Sequence, residues 1–174
     1  MGFVGLGAAV TVLADHSNQQ AALGDGVRVR AASAVNVSAV SNRTLSIDTG
    51  QINAGAVAAG ASFTRLSTDG NVSADIGHNA RIGQDAGLSV GTLNLDAQAN
   101  IDAEAFTVAV SAGAVAVSAN FAFVDVTPTL RAGVGNGALV DVTGDATIDN
   151  VSTGRAEATV NLSLIHISEP TRPY

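Results

Sequence analysis

The residues best suited to chemistry are few and scattered. The chain has no Cys and no Lys, so metal-ligand and acid–base groups are limited mainly to His16, His78, His166 and single carboxylates. Asp15 precedes His16, but no third ligand stands near them and no H-E-x-x-H spacing occurs. Neither zinc binding nor catalysis is expected of His16 or His78. Asp141, Asp145 and Asp149 form the closest acidic group. A polysaccharide-cleaving enzyme would need such carboxylates to converge, yet no Lys or His accompanies them. The other acids, among them Asp25, Asp69, Asp75 and Asp96, stand singly and read as turn formers or solvated-face residues. Calcium would suit carboxylates in turns, but the glycine-rich nonapeptide that binds it in repetitive β-structure is absent. The glycine-rich turns lack the Lys-Ser/Thr and the following helix of a phosphate loop. No catalytic, metal or cofactor-binding residue is assigned, no cofactor is expected, and the chain does not read as an enzyme.

The elements that carry these residues are organised by one turn that occurs three times. It runs Leu23-Gly24-Asp25-Gly26, Ile76-Gly77-His78-Asn79 and Val134-Gly135-Asn136-Gly137, each followed by a strand-like run. Gly26, Asn79 and Gly137 occupy the fourth position, and Gly and Asn reach left-handed backbone angles most cheaply. That selection predicts a bend with positive φ and makes His78 a turn residue, equivalent to Asp25 and Asn136. A second marker precedes each turn at a constant offset: Gly2, Gly55 and Gly113 stand equally far before Gly24, Gly77 and Gly135. Gly55 to Phe63 matches Gly113 to Phe121 at six of nine positions, and Gly2 to Val10 is a more diverged copy. Repeats therefore start at Gly2, Gly55 and Gly113, and the second interval is five longer than the first. The five extra residues must fall between Ile82 and Gly113. Repeats of this length indicate a solenoid or array.

Composition agrees with a narrow repetitive core. Hydrophobic residues make up 47% of the 174-residue chain but aromatics only 3%, so large core-filling side chains are scarce. A net charge of −7 without basic clusters argues against nucleic acid and anionic membranes. The absence of Cys excludes a disulfide framework. Asn36, Asn42, Asn71 and Asn150 fit the glycosylation pattern by chance in an Asn- and Ser-rich chain.

Strand signals dominate. Val27, Val29, Val35 and Val37 alternate with polar residues, as do Leu88 to Asp96 and Ala146 to Val151. Ala105 to Val124 carries no charge and is long enough for a membrane helix. Its large residues, however, alternate: Phe106, Val108, Val110, Val115, Val117, Phe121 and Phe123 are separated by Ala, Ser, Thr, Asn or Gly. Two or more strands are expected there, with the small-residue face packed closely against another sheet, a helix or a neighbouring chain.

The fold expected is all-β: a parallel β-helix (β-solenoid), right-handed, over residues 2–161, with repeats 2–54, 55–112 and 113–161. About three coils of roughly 18–19 residues per repeat would give eight or nine coils and a rod of about 40 Å. The alternating Ala/Val runs, Thr127 to Val140 and the strand Ala146 to Val151 resemble the repetitive passenger regions of large bacterial adhesins, of the filamentous-haemagglutinin-like and autotransporter type. The resemblance covers residues 2–161. It implies export to the bacterial outer surface or beyond, and a stalk or binding surface for host or neighbouring-cell molecules, protein or glycan. No nucleic acid partner and no membrane insertion of this segment are expected. The rival readings are a polysaccharide-active β-helix enzyme and a segment of an outer-membrane barrel. Leu162 to Arg172 resembles a translated sequencing adapter, so 162–174 reads as a non-native tail.

Overall fold

A computed structural model describes residues 3–166; the first repeat's start at Gly2 and tail residues 167–174 lie outside the described residues. The ten elements are all strands: β1 Val4–Asp15, β2 Gln19–Leu23, β3 Arg28–Val29, β4 Ala32–Ala54, β5 Val57–Ile76, β6 Arg81–Ile82, β7 Val90–Gly113, β8 Val115–Val134, β9 Leu139–Val140 and β10 Ala146–His166. Every pairing is parallel. One long sheet runs β1/β2, β5, β8; the other runs β4, β7, β10; a short sheet of β3, β6 and β9 bridges one end.

Partners across each ladder are equivalent residues of successive repeats. Val4 lies opposite Val57 and Val57 opposite Val115; Val35 lies opposite Leu93 and Leu93 opposite Ala146. The chain therefore advances one rung only after a whole repeat, in a fold consistent with a β-helix. This corrects the expectation of three short coils per repeat. The physical reason is strand length. β5 and β7 run 20 and 24 residues without a break, so each repeat has two long sides rather than six short ones. Three laps at about 4.8 Å replace the eight or nine coils and the rod of about 40 Å, while each long side spans about 65–80 Å.

The repeated turn behaves as its residues require. Gly26, Asn79 and Gly137 have φ of 67°, 56° and 74°, and Asn79 is the only non-glycine residue with positive φ among those described. The bends stack directly: Gly77 N–H donates to Leu23 C=O at 2.8 Å, and Gly135 N–H donates to Ile76 C=O at 2.7 Å. The five extra residues lie in the loop from Gly83 to Ser89. Before it, Ile82 pairs with Val29; after it, Val90 pairs with Ala32, and the register has grown by five.

Burial follows the stacking. Inward side chains of the middle lap have neighbours above and below, so Leu66, Val72, Ile76, Ile82, Val90 and Leu95 are almost wholly buried. The same rungs on the outer laps are half-buried: Leu13 and Val124 flank Leu66 and only pack against the core. The small-residue face of Ala105 to Val124 packs against the opposite sheet, as Ser62 on β5 and Thr107 on β7 are hydrogen-bonded at 3.0 Å across the interior. The strand β10 continues through His166, with Leu162 opposite Ala109 and Leu164 opposite Ser111.

Two urea titrations check this account. Asn79→Gly is expected to be neutral or slightly stabilising, whereas Asn79→Val, which cannot hold positive φ cheaply, should lose about 1–2 kcal/mol. Leu66→Ala should lose about 3–5 kcal/mol, and Leu13→Ala on the same rung clearly less.

Candidate functional site

Four groups of polar side chains stand out against the aliphatic ladders. The first is the turn stack. Asp25 Oδ1 accepts from His78 N–H at 2.7 Å, and His78 Nδ1 accepts from Asn136 N–H at 3.1 Å. Each side chain thus caps the backbone of the next lap. His78 is a structural link between turns, as its position implies.

The second group fills the break between β1 and β2. Arg43 reaches across from β4 with its side chain only 7% exposed. Its Nη1 donates to Asp15 Oδ2 at 3.2 Å, to Thr68 Oγ1 at 3.0 Å and to Asp69 C=O at 2.5 Å, and its Nε to Ser41 Oγ at 2.8 Å. The Ser17 hydroxyl also bonds Asp15, and His16 Nδ1 faces Asp69 Oδ1 at 2.5 Å. The Ser17 hydrogen bond does most to hold the Asp15 carboxyl below its usual range; partial burial opposes it, and Arg43 adds to it. Ser17 bonds Asp15 rather than His16, so the cluster lacks the hydroxyl–imidazole pair of a nucleophilic site. Sequence reading missed Arg43. An arginine at an inward position of an alternating strand, between Ser41 and Leu45, was the available signal.

The third group sits on the inserted loop. Asp85 is clamped by Arg28 and by Arg30, whose Nε lies 2.5 Å from Oδ2. The Arg30 hydrogen bond does most to lower the Asp85 carboxyl, partial burial opposes it, and Arg28 adds to the lowering. This pins the loop to the first lap's short strand.

The fourth group is a groove of about 490 Å³ on the outer face of the first sheet. Asn18, Gln20, Asn71, Ser73, Thr129 and Arg131 line it. Arg131 Nε pairs with Asp75 Oδ1 at 3.2 Å, leaving amides, hydroxyls and a guanidinium facing solvent. These are groups that hydrogen-bond to hydroxyl-rich or peptide ligands.

Asp145 and Asp149, the acidic neighbours singled out in the sequence, do not come together. Asp145 precedes β10, and Asp149 lies four residues on, about 13 Å along an extended strand. Carboxyl pairs of glycosidases sit about 5–9.5 Å apart. Acids do meet across the ladder: Asp149 lies opposite Asp96 and Glu157 opposite Glu104, each pair about 4.8 Å apart along the backbone, and the Asp96 carboxylate is bonded by Gln98 Nε2 at 2.7 Å. No group of three or more His or acidic residues poised for a metal occurs among the described residues.

No known protein family, curated protein or solved structure matches the chain.

A pH series tests the Arg43 cluster. A carboxyl lowered in the folded state adds stability above its unfolded value of about 3.9, and that stability is lost as pH falls through the folded value. The urea midpoint of the wild type should drop between about pH 5 and pH 2, and Asp15→Asn should make that drop smaller. Arg43→Met, which strands Asp15 beside an apolar side chain, should cost about 3 kcal/mol at pH 7.

Proposed function

We propose that the chain is a section of a right-handed β-solenoid that serves as a structural and interaction segment of a large adhesin-like protein, secreted or held on the bacterial outer surface. One observation carries this reading: three laps repeat the same rungs and the same left-handed bend, so the stack can be extended indefinitely by further repeats. Such a design makes length, which suits a stalk. The outer polar groove around Asn71 and Arg131 is the surface suited to a protein or glycan of a host or neighbouring cell. The strand composition and the resemblance to adhesin passenger regions support the same reading.

The rival readings receive less support. A barrel segment requires antiparallel strands, whereas every pairing here is parallel. A polysaccharide-active enzyme requires a carboxylate pair set in a substrate groove, and the groove around Asn71 and Arg131 holds neither Asp149 and Asp96 nor Glu157 and Glu104.

Two experiments test the proposal. Inserting a second copy of residues 55–112 after residue 112 should raise the denaturation midpoint, because one more fully covered lap is added; a lower midpoint and a molten circular dichroism signal would refute the solenoid. Protease added to intact source cells should remove the segment from immunoblots. Full protection on intact cells, with cleavage only after lysis, would refute the surface location.

A further inference from the structure

The end of each lap that turns at Gly55 and at Gly113 is built inside out. Between the sheets it buries Thr49, Gln51, Asn53, Ser62, Thr107 and Ser111. Thr49 Oγ1, Gln51 Oε1, Asn53 Nδ2 and Thr64 Oγ1 find no hydrogen-bond partner among the described residues. The sheets close tightly here: a Cβ on Gly7 or Gly60 would collide with the Asn53 amide. With the interior this narrow and polar, the larger apolar side chains alternate outward. Leu6, Val10, Val117 and Phe121 are 76%, 72%, 61% and 53% exposed on the first sheet. On the second sheet Ile52, which is 82% exposed, Val108 and Val110 also point outward, while the register gives β10 Thr159, Asn161 and Ser163 at the neighbouring outward positions. Water-soluble folds put such residues inside.

The apolar surface covers the outside of the first sheet, the turn, and the β4 and β7 part of the opposite face. On one face it spans three strands and about eight residues before Arg65 interrupts the middle strand, roughly 14 by 26 Å, or about 360 Å². That already reaches the largest apolar patches of ordinary monomers, before the second face is counted. A rigid protein partner would cover one face. What covers both faces and the rim together is a fluid apolar phase.

The charges define its depth. Moving back from the turn, the first charged residues are Asp15, Asp48, Arg65, Glu104, Asp125 and Glu157. The uncharged stretches before them are about 20–40 Å long, each deeper than the roughly 15 Å of hydrocarbon in one leaflet. All of these rim charges except Arg65 are acidic, which disfavours anionic headgroups.

We propose that this inside-out end docks into a zwitterionic lipid surface through its outward apolar side chains. The proposal reverses the expectation that the segment avoids membranes, and it stands independently of the adhesin reading.

The chain has no Trp, so single reporters can be introduced cleanly. Val117→Trp lies in the apolar face and Asn71→Trp on the polar half of the same sheet; both side chains are exposed. With phosphatidylcholine vesicles, Val117→Trp should show a blue shift and be quenched by brominated acyl chains, while Asn71→Trp should not respond. In flotation, wild type should rise with the vesicles. The double variant Leu6→Asp, Val117→Asp should partition at least about tenfold less, with an unchanged circular dichroism spectrum. Absence of flotation, or an equal response of the two reporters, would overturn the proposal. So would tighter binding to anionic than to zwitterionic vesicles. Concentration-dependent self-association abolished by the same Asp substitutions, without a lipid response, would assign the face to a second copy of the chain and equally overturn it.

Discussion

Everything in this fold depends on the hydrogen-bond ladder between laps. A parallel ladder pairs a strand with a segment that arrives from far along the chain, and it works only if each lap returns in the same register. Alternation then sends equivalent residues to the same face, because a one-residue slip would invert every side chain. The recurrent bend is the device that makes the return reproducible. Gly26, Asn79 and Gly137 supply it with φ between 56° and 74°, and Asp25 and His78 tie each bend to the next through backbone N–H groups. Bend and ladder reinforce each other: the bend sets where the strand begins, and the ladder holds the bend in line.

Stacking also decides where stability resides. In a globular domain, the core is a central volume; here it is a central lap. Leu66 has Leu13 beneath it and Val124 above it, whereas each of those has a covered side and an uncovered one. The interior changes character along the lap. Near the repeated turn it is aliphatic, with Ile76, Ile82 and Val90 buried. Midway, Arg43 gathers Asp15, Thr68 and Asp69 into a polar knot. Toward the opposite turn it becomes hydroxyls and amides. At that end the narrow interior holds small and polar side chains, and on the first sheet the larger ones face outward.

Much of this was legible in the residues. The turn could be read because Gly and Asn at a matched position have a conformational cause, and the added loop because only one marker-to-marker distance changed. The lap length was not legible. Asp69 reads as a turn former, yet β5 runs straight through it, with the adjoining Gly70 at φ 121° absorbing the close approach of Ser17. Once a neighbouring strand is available on each side, the ladder overrides local turn preference. The direction of the apolar alternation could be read here as well: Ser118 and Asn120 are small enough for two sheets to approach closely, so Val117 and Phe121 between them face outward. The Arg43 cluster draws on side chains from three strands and has no local motif.

The loop from Gly83 to Ser89 has an evolutionary consequence. It absorbs five residues between one ladder and the next, and the register resumes at Val90. Insertions at that corner leave every rung in its row. Unequal recombination between gene segments encoding different repeats would therefore yield reading frames whose products still stack, provided the crossover joins matching rungs. Such a gene can grow, shrink and diversify its corners by copying itself, with the ladder acting as the filter on which products fold.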